Sequence, residues 1–270
     1  MINKHLEFTL CGHTIYIDTY VSDDTHTLHD AILVLPGGGY THVCDDREGE
    51  PVARAYFERG LNAFVLRYSV GSDCHFPSHL IDASFAMHYI RTHASEYGID
   101  PERVFTVGFS AGGHLAGSLA ILHKDKETLS FLGIKEGENR PKGAILSYPV
   151  VSALCPTHEG SFEMLTGKRF FDISDEEKMK LSLECHVDED SAPLFIWHTS
   201  RDTVVPMIGS LRLAEAYYNL ARPVSVRIYP YGDHGSALAT EVTACGNPDY
   251  IQPLAEEWVD ASVKWMQTLK

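Results

Sequence analysis

Short apolar runs recur along the chain, separated by longer stretches in which apolar residues return every three or four positions. Residues 6–10 and 14–20 alternate apolar and polar positions, which predicts an N-terminal hairpin. Residues 31–35, 62–67, 103–108, 143–148, 193–198 and 224–229 are short and rich in apolar and β-branched side chains, as buried strands are. Helical spacing lies between them, near 47–59, 78–97 and 111–122, after Pro206, and near 252–268. The 78–97 stretch carries Leu80, Ile81, Ala83, Phe85, Met87, Tyr89 and Ile90 on this period. Strands alternating with helices predict an α/β fold, a mostly parallel central sheet with helices on both faces.

The rhythm breaks between Tyr148-Pro149 and Pro193. Residues 150–191 hold Phe162, Phe170 and Phe171 among many charges, including the acidic run from Asp172 to Lys180. An insertion of this length serves as a cap, a lid or a contact in a homo-oligomer. It lies above the carboxyl ends of the strands, so it is expected to help form a substrate pocket. The whole chain, 1–270, reads as one domain with this cap.

Ser110 sits in Gly108-Phe109-Ser110-Ala111-Gly112-Gly113, directly after an apolar run and before a small-residue helix. The G-x-S-x-G pattern in that setting places a serine on a sharp strand-to-helix turn, with its hydroxyl lifted clear of the sheet. Gly108 and Gly112 let the backbone close around the bend. Such a nucleophile needs a base and an acid, in the order Ser, Asp or Glu, His. Past Asp202 the chain holds one histidine, His234, on a glycine-flanked loop after the last strand. Its imidazole can take the serine proton and return it to the leaving group. Asp202 stands at the end of the 193–198 strand, where a carboxylate can orient that imidazole. Asp172, Asp175, Asp188 and Asp190 lie in charged loop-and-helix sequence, and Asp233 adjoins His234 too closely to face it.

Pro36-Gly37-Gly38-Gly39-Tyr40 follows the 31–35 strand. Its glycines allow backbone N–H groups to approach a developing negative charge. The Ala111 N–H would complete that oxyanion site. The loop lacks the G-K-[ST] ending of a phosphate cradle. His75 and His79 are four apart, but Pro77 opens the helix between them, which predicts two solvent-exposed histidines rather than metal ligands. His198, near Asp202, either borders the site or packs beneath it.

These blocks resemble the α/β-hydrolase superfamily, in its serine esterase branch. Pro36-Gly37-Gly38-Gly39-Tyr40, Gly108 to His114, Trp197 to Asp202 and His234-Gly235 are similar to bacterial carbohydrate acetyl esterases of the acetylxylan esterase and esterase–lipase group. Related lipolytic enzymes begin the glycine loop with His, where this chain has Pro36. The resemblance implies oxyanion donors at Gly38 and Gly39. It also implies a serine carboxylester hydrolase that removes short acyl groups from carbohydrate esters without a cofactor. Aryl-formamidases, amidases and peptidases use the same triad, and a non-catalytic receptor on this scaffold would lack one of its members. Tyr40, beside the loop, and Trp197, at a strand end, are candidate walls for a sugar.

The charge balance narrows the partners. A formal net charge of −15 disfavours nucleic acid and anionic membrane, leaving a small-molecule ester as the expected partner. No run is long enough to span a bilayer, and Met1 to Phe8 has no apolar signal core, which reads as cytoplasmic. The six cysteines show no C-x-x-C and read as reduced thiols.

Overall fold

The computed structural model describes all 270 residues, Met1–Lys270. Eight strands form one sheet: β1 (His5–Leu10), β2 (His13–Tyr20), β3 (His29–Leu35), β4 (Asn62–Arg67), β5 (Ile99–Phe109), β6 (Ala144–Ser147), β7 (Leu194–Thr199) and β8 (Val224–Tyr229). Their order is β1-β2-β4-β3-β5-β6-β7-β8. The β1–β2 and β2–β4 pairs are antiparallel, and all others are parallel.

Both faces of the sheet are covered, and the period of two along β3 shows how. Ala31, Leu33 and Leu35 enter one apolar core with Leu80, Met87, Leu115 and Leu119 from the Ser78–Thr92 and Ala111–Ile121 helices. Ile32 and Val34 enter the other, with Val52, Tyr56 and Trp258 from the Glu50–Phe57 and Trp258–Thr268 helices. The chain order reverses on either side of β3, so the loops after β3 and β5 open side by side at the carboxyl edge.

Several predicted boundaries shift for local reasons. The helix expected over 47–59 is two, Asp45–Glu48 and Glu50–Phe57. They break at Gly49, where a Cβ would lie 2.0 Å from Asp45 Oδ1. The C-terminal helix starts at Trp258 rather than at 252. The preceding residues turn through three-residue hydrogen bonds, Ala255 N–H to Gln252 O and Trp258 N–H to Ala255 O. A Lys126–Leu132 helix, absent from the pattern reading, is capped by Asp125, whose side chain accepts the Thr128 N–H at 2.8 Å.

Residues 150–191 hold two short helices, Glu159–Thr166 and Asp175–Leu181. Ser174 and Glu177 close a capping box on the second. Phe162 and Leu165 anchor the insertion in the core, while Phe171 is exposed.

The histidine pair departs from expectation. His79 is buried, 4.6 Å from the Tyr40 ring, and neither of its nitrogens has a hydrogen-bond partner. The helix begins at Ser78, so His79 falls on its inward face. His75 is half-buried, with Nδ1 2.9 Å from the Met164 carbonyl. All six cysteines are unpaired, and no helix is long and apolar enough to cross a membrane.

Candidate active site

Ser110 occupies the turn between β5 and the Ala111–Ile121 helix at φ 52°, ψ −117°. A non-glycine residue reaches this region only when its surroundings impose it. Here Ser110 N–H donates to the Ser147 carbonyl at 3.0 Å, and the Ser110 carbonyl accepts the Val150 N–H at 3.0 Å. The glycines on either side serve close packing. A Cβ on Gly108 would stand 2.0 Å from the Gly112 carbonyl oxygen, and one on Gly112 would stand 2.1 Å from that of Leu35.

His234 reaches Ser110 from the loop after β8, with Nε2 2.8 Å from Ser110 Oγ. Its Nδ1 lies 2.7 Å from Asp202 Oδ2. Asp202 Oδ1 accepts the N–H groups of Val204 and Val205 at 3.0 and 2.8 Å. Burial alone would raise the Asp202 carboxyl. Hydrogen bonds from His198 and His234, the nearby His234 charge and the Val205 N–H outweigh it and hold the group well below the usual carboxylate range. Asp233 is exposed and makes no hydrogen bond to His234.

His198 lies beneath the site. It is fully buried, with Nδ1 2.9 Å from Ser210 Oγ and Nε2 2.8 Å from the Val205 carbonyl and 3.3 Å from Asp202 Oδ2. It therefore braces the carboxylate rather than facing the cleft.

The glycine loop after β3 lies opposite. Gly38 adopts φ 121° and Gly39 φ 63°, and their N–H groups have no acceptor within the chain. Ala111 is the first residue of its helix, so its N–H has no intrahelical acceptor. The loop is held by Glu48, a buried residue outside the predicted set. Glu48 Oε2 accepts the Gly37 N–H at 2.7 Å, and Oε1 accepts the Tyr148 hydroxyl at 2.8 Å. Tyr148 in turn accepts the Ala237 N–H at 3.0 Å, and its ring meets that of His234 edge-on at 5.0 Å.

These groups surround a cleft of about 400 Å³. Ser110, Gly38, Gly39 and His234 line it, as do Thr41, His42, Arg47 and Glu48. The insertion contributes His158, Gly160, Glu163 and Met164. Met164 and Val204 are the large apolar side chains on its wall. The sequence reading missed Arg47 and Glu48 because an arginine–glutamate pair in a short polar helix looks like a solvated face. His158 and Glu163 lie in the insertion, where the sequence offered no spacing to single them out. No group of three or more His, Cys, Asp or Glu side chains is arranged to hold a metal ion.

Two expected sugar walls lie elsewhere. Tyr40, at φ 63°, turns inward and is 1 % exposed, with its hydroxyl 2.8 Å from His114 Nδ1. Trp197 is fully buried, donates from Nε1 to Ser147 Oγ at 2.7 Å and stacks on Trp258. The pleat of β7 aims Trp197 across the sheet face instead of out of the strand end.

The sheet, the strand-to-helix serine and the opposed glycine loop define an α/β-hydrolase of the esterase and lipase superfamily. Within it the chain belongs to the BD-FAE family, whose profile matches residues 17–217. Endo-1,4-beta-xylanase B of Butyrivibrio fibrisolvens is 40% identical over 215 residues, covering 78% of this chain and 33% of that protein. Acetylxylan esterase of Xylanibacter ruminicola is 27% identical over 216 residues, covering 78% of this chain and 42% of that protein. The chain thus spans a third to a half of the length of these curated relatives. Among solved structures, the acetyl ester-xyloside bifunctional hydrolase from Caldicellulosiruptor lactoaceticus superposes with a TM-score of 0.81 at 32% identity, over 95% of this chain and 88% of that one. The carboxylesterase Cest-2923 from Lactobacillus plantarum superposes with a TM-score of 0.85 at 25% identity, over 99% and 98%.

Proposed function

We propose that this chain is a serine esterase that removes short acyl groups, chiefly acetyl, from carbohydrate esters such as acetylated xylo-oligosaccharides. The observation that carries this reading is the unbroken hydrogen-bond chain from Asp202 through His234 to Ser110, opening into a cleft opposite unpaired N–H groups. In this reading residues 1–270 form one catalytic domain, with 150–191 as its cap.

Ser110 Oγ attacks the ester carbonyl carbon while His234 Nε2 takes the hydroxyl proton. The negative charge gathers on the former carbonyl oxygen, where the N–H groups of Gly38, Gly39 and Ala111 stabilise it. Comparable single donors contribute about 3–4 kcal/mol. Collapse of the tetrahedral species breaks the bond to the alcohol oxygen, which takes its proton from the imidazolium. Water then repeats the sequence on the acyl-serine, with His234 as base, and releases the carboxylic acid. Asp202 keeps the imidazole oriented and stabilises its charged form.

Carbohydrate specificity draws on the likeness to the xylan-related proteins named above and on the predominance of polar residues along the cleft. Mass spectrometry of acetylated xylo-oligosaccharides before and after incubation tests it. Stepwise loss of acetyl groups, absent with Ser110→Ala, is expected. Brisk turnover of p-nitrophenyl acetate without any loss from the oligosaccharides would remove the carbohydrate assignment and leave the esterase.

A further inference from the structure

Arg47 stands in the wall of the cleft, in the short helix that follows the glycine loop, and it is half-buried there. Its guanidinium lies 5.1 Å from the centre of the Tyr250 ring. On its other side is Gly235, where an added Cβ would come within 3.3 Å of Nη2. Inside the chain it donates to Cys44 Sγ, a weak acceptor, at 3.8 Å, and its other polar neighbour is the Tyr250 side chain. No carboxylate lies within ion-pair distance of it.

The carboxylates that share the cleft are already engaged. Glu48 accepts from Gly37 and Tyr148, as described, and Glu163 Oε1 accepts the Phe170 N–H at 2.8 Å. Glu48 acts on Arg47 through its charge but spends both oxygens on Gly37 and Tyr148, so the cleft presents a planar, permanently charged donor fork that no carboxylate of the protein occupies. In a chain with 37 acidic and 22 basic residues the long-range field repels anions, so a guanidinium whose fork is unpaired, in the same cleft as the serine, acts locally.

We infer that Arg47 is the receptor for a carboxylate on the substrate, carried on the alcohol side of the ester. Gly235 adjoins His234, and His234 returns the proton to the departing alcohol oxygen, so the guanidinium borders the leaving group rather than the acyl group. The substrate class is thus an acylated hydroxy acid, including an oligosaccharide whose acylated sugar lies next to a uronic acid. The inference rests on the esterase reading and narrows its substrate.

The test compares 3-acetoxybenzoate with its neutral methyl ester, taking the ratio of the two kcat/KM values so that general effects on catalysis cancel. Arg47→Ala is expected to lower the charged-to-neutral ratio by about tenfold or more, the scale of one lost charge-assisted hydrogen bond. Arg47→Lys keeps the charge without the fork and should fall between. A ratio in Arg47→Ala within twofold of wild type, whatever the absolute rates, would overturn the inference and leave Arg47 as a counter-charge for Glu48. A second measurement needs no turnover: 3-hydroxybenzoate should bind Ser110→Ala about tenfold or more tighter than it binds the double variant with Arg47→Ala, by calorimetry. Equal affinities would also overturn it. If wild-type protein hydrolyses neither ester, the esterase reading fails, and the binding comparison alone decides the role of Arg47.

Discussion

The Tyr148 hydroxyl donates to Glu48 Oε1 at 2.8 Å, and this one bond joins the two halves of the site. Glu48 holds the glycine loop through the Gly37 N–H, while Tyr148 holds the histidine loop through the Ala237 N–H and the edge of its ring against His234. A carboxylate accepts on both oxygens, and an amide on one only. Glu48→Gln should therefore misplace the Gly38 and Gly39 N–H groups with little change in shape. We expect kcat per titrated active site to fall about ten- to a hundredfold, part of the value of an oxyanion donor, with KM changed less than about threefold. A lower melting temperature with kcat intact would reduce Glu48 to a purely structural brace.

The acid is tested by a pair of variants. Asp202→Asn keeps the shape but has one acceptor oxygen, so its N–H₂ must face either His234 Nδ1 or the Val204 and Val205 N–H groups, which all need acceptors. Turnover should drop by about three to four orders of magnitude, as when a triad aspartate becomes an amide elsewhere. Asp233→Asn, on the exposed side of the loop, should stay within about twofold. The reverse order would transfer the role to Asp233.

What the sequence made legible is what depends on local pattern. The β5–Ser110–helix turn could be read because its glycines, serine and flanking periods are contiguous, and the alternation of strands and helices sufficed for the parallel sheet. Tyr40 and Trp197 defeated the reading for a geometric reason. Proximity in sequence to a loop or strand end does not say whether a side chain points out of the edge or across the sheet, and both point inward. Glu48 and Tyr148 are 100 positions apart, and their bond exists only because β3 and β6 flank β5. No period in the chain encodes such a pairing.

Acid should destabilise the fold through two buried histidines. Burial lowers His79 to about 3 and His114 to about 4, so between those values and the ordinary 6.5 the unfolded chain binds protons that the folded chain refuses. Their contribution is fully present above pH 6.5 and is lost as pH falls. Asp82, raised by burial to about 6, works in the opposite sense, since the folded chain keeps its proton where the unfolded chain loses it. His79→Phe should remove about 2–3 kcal/mol of the loss between pH 7 and pH 4.5 without breaking a hydrogen bond, because neither nitrogen of His79 has a partner. Denaturant melts at the two pH values check this. An unchanged difference would mean that His79 finds a proton acceptor in solution.

Acyl length should be read by the cleft wall. Most of the residues along it are polar, among them Thr41, His42, His158 and Glu163, and its two large apolar side chains, Met164 and Val204, form no extended groove. Each methylene that finds an apolar pocket contributes about 0.8 kcal/mol, so a lipase-like groove would raise kcat/KM by about fourfold per carbon. Without such a groove, carbons beyond the short acyl group are expected to gain less than this. We expect p-nitrophenyl acetate to be hydrolysed with a higher kcat/KM than the butyrate, and the butyrate with a higher value than the octanoate. Met164→Ala should leave this order in place, since it removes apolar surface without adding any. A maximum at eight carbons or longer across the series from acetate to decanoate would overturn the proposed short-acyl preference and point to a lipase-like groove opened by the insertion.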